Sequence, residues 1–228
     1  MDLEKLFNKF KSDKVNHQYH KIYHSYFNKL KLKKLNILEI GVADGSSLKA
    51  WSEYFKNSKI IGIDIKDINL KKKKLLKKNI FFHRGSQTDK SFLNKLKTRY
   101  QKFDIIIDDG SHYPKDVIFT FKELFSSLHI NGFYFIEDTQ TSYNHFFGGN
   151  PFDLKYSNTH MNYFKNLVDT INYKEIPNPF YIKGKYDGLI KNLSFYNNMI
   201  VVKKGVNNIE SNLVLDNSYE NKRYQTKV

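Results

Sequence analysis

The chain of 228 residues has no cysteine, which excludes disulfides, thiolate metal sites and a cysteine nucleophile. No apolar run approaches the roughly 18–20 residues of a spanning helix. The opening MDLEKLFNKF carries no signal-like apolar core, so a cytoplasmic location is expected. Arginine is scarce as well: among 38 basic residues only Arg84, Arg99 and Arg223 are arginine. Bidentate reading of bases and phosphates relies on arginine. The formal net charge of +15 comes from scattered lysines and a short cluster at Lys71–Lys74, Lys77 and Lys78, which argues against a nucleic-acid partner and leaves room for an anionic small acceptor. Neither the dinucleotide fingerprint GxGxxG nor the nucleophile elbow GxSxG occurs.

What is present is organised around Asn36–Asp64, NILEIGVADGSSLKAWSEYFKNSKIIGID. Ile37–Ile40 reads as a strand, Gly41–Gly45 as a turn, the stretch bearing Leu48, Trp51 and Phe55 as a helix, and Ile60–Ile63 as a second strand ending on Asp64. Strand, glycine turn, helix and acid-tipped strand form the opening unit of a nucleoside-cofactor site. A phosphate beside Glu39 and Asp44 would meet like charge, whereas a sulfonium and an amino group would be attracted. The turn, with Glu39, Gly41, Gly45, Ser46 and Ser47 around it, therefore favours S-adenosylmethionine over a dinucleotide. Asp64 can accept from both ribose hydroxyls.

The length suits one α/β domain with extensions. Residues 1–33 read as a helical N-terminal extension or lid, 34–205 as the main domain with an acceptor-side insert at about 144–190, and 206–228 as a polar tail. In the extension, Asn16–Leu30 is dense in histidine and tyrosine, either as half-buried packing or as groups reaching a site. After the basic stretch come a third strand, Ile80–His83, and a turn that lays Ser86 and Gln87 beside the adenine edge or uses Gln87 to cap the helix beginning near Asp89. A helix over Val117–Leu128, stopped by Asn131-Gly132, separates strand four, Phe103–Asp108, from strand five, Phe133–Ile136. His160–Tyr173 reads as a helix in the insert. Asn192–Phe195 and Met199–Val202 form a closing antiparallel pair.

Strands four and five deliver acids to their carboxyl ends, where open α/β sheets place their chemistry. Neighbouring strands lie about 4.8 Å apart, so Asp109, Glu137 and Asp138 can converge on one ion, and an all-oxygen set suits Mg²⁺. Acids after strands also cap helices, which is the plainer use of any one of them. His112, three residues after Asp109, is the best general base in the chain. Together these groups describe methyl transfer from S-adenosylmethionine to a Mg²⁺-bound hydroxyl. Two vicinal hydroxyls could chelate the ion, which points to a sugar-like or catechol-like acceptor.

Several stretches resemble a known group: SDK with NHQYHKIY at Ser12–Tyr23, LEIGVADGSSLKAWSEYF at Leu38–Phe55, FDIIIDDGSH at Phe103–His112, NGFYFIEDTQTSY at Asn131–Tyr143 and LSFYNNMIVVKKG at Leu193–Gly205. They are similar to the class I, S-adenosylmethionine- and Mg²⁺-dependent sugar O-methyltransferases of the macrolide-sugar and rhamnosyl type, with the related proteins called cephalosporin hydroxylases. The resemblance implies a Rossmann-like α/β fold: a mostly parallel seven-stranded sheet with an antiparallel last strand, flanked by helices. It also implies Asp109, Glu137 and Asp138 as metal ligands, His112 as base, Asp64 on the ribose, Asp108 or its backbone beside the cofactor, and His17 and Tyr19 near the site. Hydroxylase chemistry is not supported, since no two-histidine, one-carboxylate iron triad can be placed. The acceptor would be a glycosyl or polyhydroxylated metabolite, in surface polysaccharide or natural-product assembly. A catechol-like acceptor, an NAD-dependent oxidoreductase and a non-catalytic basic nucleic-acid module are the alternatives. The extension could also be exchanged between subunits of a homo-oligomer.

Overall fold

A computed structural model describes residues 2–68, 77–176, 178–207 and 209. The Lys71–Lys74 cluster, and the polar tail from residue 210 onward, lie outside the described residues.

Seven strands form one sheet: β1 (Asn36–Ile40), β2 (Lys59–Asp64), β3 (Ile80–Arg84), β4 (Phe103–Asp108), β5 (Leu128–Glu137), β6 (Ile190–Tyr196) and β7 (Met199–Lys204), in the order β3-β2-β1-β4-β5-β7-β6. The first five run parallel, and β7 lies antiparallel between β5 and β6. This is the mostly parallel sheet with an antiparallel terminal strand that the resemblance implies. The chain order reverses between β1 and β4, which places a crevice at their carboxyl ends.

Among the described residues six α-helices cover the two faces: α1 (Leu3–Phe10), α2 (Tyr19–Phe27), α3 (Ser46–Tyr54), α4 (Lys90–Tyr100), α5 (Pro114–Leu124) and α6 (His160–Asn166). Side chains alternate across a strand, and the core divides accordingly. Ile37, Ile105, Ile107, Phe135 and Val201 pack with α1, α2 and α3 on one face. Leu38, Ile106, Tyr134, Ile136 and Val202 pack with α4, α5 and α6 on the other. The N-terminal helices thus belong to the main core. Trp51 is fully buried and meets Phe7 edge-on at 4.9 Å and Tyr23 at 5.1 Å between ring centroids.

Two helices differ in extent from the sequence reading. The helix before β5 starts at Pro114, where the fixed φ of proline suits a first turn, and ends at Leu124. Asn131-Gly132 therefore does not stop a helix. It sits inside β5, where Asn131 takes φ 66 and the pairing with β4 slips between Phe103 and Ile105. The insert helix is shorter than its apolar spacing suggests, ending at Asn166 and giving way to turns.

Candidate active site

The cleft is built where β1 ends. Gly41 adopts φ +76, and a Cβ there would overlap the backbone of Asp109 and Gly110. Only glycine lets the turn after β1 pass so close to the loop after β4. The Asp109 N–H donates to Ile40 O at 2.9 Å and the Gly41 N–H to Ile63 O at 2.9 Å, which stitches three strand ends together. Asp64 shapes the same turn: its Oδ2 accepts from the Val42 and Ala43 N–H groups, each at 3.0 Å. Gly45, at φ 80, precedes the first turn of α3. The resulting cleft of about 700 Å³ is lined by Gly41, Ser46, Ser47, Asp64, Ser86, Gln87, Asp109, His112 and Asp138, among others. That volume suits a nucleoside cofactor with an acceptor at one end.

Several residues expected at the cofactor have their polar groups engaged within the fold, and strand alternation decides which face each acid takes. Glu39 is fully buried beneath α3, accepting from Ser47 Oγ at 2.7 Å and Trp51 Nε1 at 3.1 Å. It does not line the cleft, so its part is to support the turn. Asp108 points to the opposite face, where it accepts from Gln87 Nε2 and Tyr134 OH, both at 3.2 Å. Burial pushes its carboxyl up to about 7. Gln87 is only 7% exposed; besides Asp108 it donates to Thr120 Oγ1 at 3.1 Å and accepts the Ser111 N–H at 2.7 Å. Its polar groups are spent on the β4 loop, and the α4 cap is Asp89, which accepts from the Phe92 N–H. His17 and Tyr19 approach Asp138, one of the acids that line the cleft. Tyr19 OH donates to Asp138 Oδ1 at 2.6 Å, and His17 Nδ1 lies 3.9 Å from the same oxygen.

The acids themselves divide. Ligand atoms of Asp109, His112 and Asp138 all lie within 4.8 Å of one another, at half-buried positions. His112 Nε2 stands 3.7 Å from Asp138 Oδ2 and 4.0 Å from Asp109 Oδ1. Glu137 is not in this group: it is 2% exposed, and its Oε1 accepts from both Lys14 Nζ, at 2.6 Å, and Tyr23 OH. Hard carboxylate oxygens beside an open cleft fit a divalent ion that retains several waters, so the donor set is compatible with Mg²⁺.

Lys14 was not singled out by the sequence, although it stands inside the SDK stretch. It is 2% exposed, and its Nζ lies 2.6 Å from Asp109 Oδ2, 2.6 Å from Glu137 Oε1 and 3.4 Å from Glu39 Oε1. Burial opposes its charge, yet the three carboxylates hold its pKa well above the ordinary lysine value. Burial, reinforced by Asp109, pushes Glu137 in the same upward direction, and Lys14 opposes that shift. Thr141 and His160 were also missed. Thr141 Oγ1 lies 2.8 Å from His112 O, and the buried His160 Nε2 lies 3.2 Å from Thr139 O, docking α6 onto the loop after β5. Burial pushes the His160 imidazole down to about 4, so it packs there as a neutral ring.

A seven-stranded sheet of this order, with a glycine-turn cleft beside an acid-and-histidine cluster, defines a class I Rossmann-like methyltransferase. The chain matches the FtsJ-like methyltransferase family over residues 10–146 and belongs to it, which removes the oxidoreductase alternative. It is 35% identical over 193 residues to mycinamicin VI 2''-O-methyltransferase of Micromonospora griseorubida, covering 81% of this chain and 47% of that protein. It is 34% identical to demethylmacrocin O-methyltransferase of Streptomyces fradiae, covering 81% and 48%. The structure of MycE methyltransferase in complex with Mg, SAH and mycinamycin VI superposes with TM-score 0.85 at 32% identity, over 92% of this chain and 55% of that one. The chain spans about half the length of the curated relatives it matches. Among the described residues no helix is long and apolar enough to cross a membrane.

Proposed function

We propose that this protein transfers the methyl group of S-adenosylmethionine to a hydroxyl of a sugar or similar polyhydroxylated metabolite, with Mg²⁺. The observation that carries this reading is the placement of Asp109, His112 and Asp138 within 4.8 Å of one another at the end of the cleft that begins at Gly41. Two relatives are named for a rhamnosyl and an olivosyl acceptor, and the neighbouring structure holds Mg and SAH.

In this reading the turn after β1 and Asp64 hold the cofactor, and Ser46, Ser47 and Ser86 line its cleft. Asp109 and Asp138 would hold the ion on the cleft side, with Glu137 behind them. When bound, the ion lowers the pKa of the acceptor hydroxyl and fixes its position. Bound in the cleft, S-adenosylmethionine would supply the methyl group and leave as S-adenosylhomocysteine, while His112 Nε2 would take the proton of the acceptor hydroxyl. An alcohol is a poor nucleophile near neutral pH, so loss of His112 should lower kcat rather than cofactor affinity. A phenolic acceptor needs that base less.

The test is transfer of labelled methyl from S-adenosylmethionine to a panel containing mycinamicin VI and a simple catechol, with Mg²⁺ or EDTA. Transfer to the glycoside that stops in EDTA and in His112→Ala supports the reading. Full turnover in EDTA, or transfer to the catechol alone that survives His112→Ala, overturns it.

A further inference from the structure

Two residues of the candidate site, His112 and Asp138, are non-glycine residues in the left-handed region, at φ 59 and φ 54. Such a conformation costs free energy and persists only where the surroundings over-determine it. One hydroxyl stands between them. Thr141 is 5% exposed, and its Oγ1 lies 2.8 Å from His112 O and 2.9 Å from Asp138 O. Its own N–H donates to Asp138 O at 3.2 Å, so the hydroxyl proton is available to the His112 carbonyl. The other end of the Ser111–His112 unit is held as well, by Gln87 Oε1, which accepts the Ser111 N–H at 2.7 Å. Gly110 allows that approach, since a Cβ there would overlap Gln87 Oε1.

We propose that Thr141 is a positioning residue for methyl transfer: its hydroxyl clasps the loop after β4 to the loop after β5 and keeps His112 in the left-handed conformation that aims its imidazole at Asp109 and Asp138. Gln87 is the second clamp on the same loop. The catalytic consequence rests on the reading of His112 as base; the clasp itself does not. Valine matches threonine in shape and lacks the donor, so Thr141→Val leaves the His112 carbonyl without its partner while keeping the packing. The backbone at 112 then relaxes toward negative φ and the ring moves. A displacement of about 1 Å at a reacting group costs on the order of 100-fold in rate.

The experiment uses the full chain labelled with ¹³C-histidine, with the His112 resonance assigned by its loss in His112→Asn. In metal-free protein, Thr141→Val is expected to move the His112 ring resonance, and Thr141→Ser, which restores the hydroxyl, to return it to its native position. With Mn²⁺ as a paramagnetic probe, the His112 signal broadens in the native protein and loses most of that broadening in Thr141→Val. S-adenosylhomocysteine affinity by calorimetry stays within a few-fold. Thr141→Ala serves where the valine variant fails to fold. A lowered melting temperature with the metal-free His112 resonance unmoved would mean that Thr141 only packs, and the proposal falls. Absence of Mn²⁺ broadening in the native protein counts instead against the proposed ion site, and the metal-free shift still decides the clasp.

Discussion

Replacing Lys14 with methionine tests the electrostatic design of the site most directly. The side chain keeps its apolar stem and loses one charge. That charge is 2% exposed and faces Glu39 and Glu137, which are 0% and 2% exposed, as well as Asp109. Removing one partner of a buried ion pair costs about 3–5 kcal/mol, because the remaining charge is left uncompensated. At about 2–4 °C per kcal/mol for a chain of this size, the melting temperature should fall by roughly 6–20 °C at pH 8. Burial already holds Glu39 and Glu137 above the ordinary carboxylate range. The native state therefore binds protons that the unfolded chain has lost, and stability falls as pH rises. Without Lys14 this tendency grows: a proton replaces the ammonium at lower pH, so the deficit shrinks between pH 8 and pH 5. Urea and thermal unfolding at several pH values in EDTA measure both quantities. Adding Glu137→Gln to the variant removes one of the uncompensated buried carboxylates and should recover part of the loss. A deficit below about 1 kcal/mol at pH 8, or one that widens on acidification, would refute the reasoning, since it would mean that the carboxylates do not depend on this cation.

Gly41→Ala must adopt φ +76 and overlap the Asp109 backbone, so it should lose about 1–3 kcal/mol from backbone strain alone, together with S-adenosylhomocysteine binding by calorimetry. Asp138→Asn should abolish Mg²⁺-dependent transfer while leaving cofactor affinity within a few-fold, as calorimetry beside a transfer assay will show. Asp108, raised from its ordinary 3.8 to about 7, makes native stability decline as pH rises from near 4 to near 7. Asp108→Asn should flatten that slope in denaturant titrations. Trp51→Phe removes the Nε1–H donor to buried Glu39 and should cost about 1.5–3 kcal/mol, the range for a hydrogen bond to a charged group, read from urea unfolding.

Much of the fold was legible because its signals are local. Apolar runs such as Ile105–Ile107 suit strands covered on both faces, and the ADG turn between two such runs marks the crossover. The slip inside β5 was not legible, since Asn131-Gly132 is a turn signal whether it ends a helix or bends a strand. Proximity to a strand end also hid the partners of three acids. Glu39, Asp108 and Glu137 sit beside the cleft in sequence, but the alternation of side chains sends each to a buried face. The partners of Gln87 were hidden for a related reason, because Asp108, Ser111 and Thr120 lie 21, 24 and 33 residues away.

The amino-acid order alone determined the architecture and where its chemistry could stand: a glycine turn after the first strand, acids and a histidine after the fourth and fifth. Those follow from backbone conformational preference and from a period of two or 3.6 residues, which a chain carries in itself. Tertiary structure decided what each group does. It brought Lys14 across 95 and 123 residues to Asp109 and Glu137, grouped His112 with Asp109 and Asp138, and set Thr141 between two left-handed residues. Charge pairing and hydrogen bonding act over a few ångströms of space, and only the packed sheet determines which residues share that space.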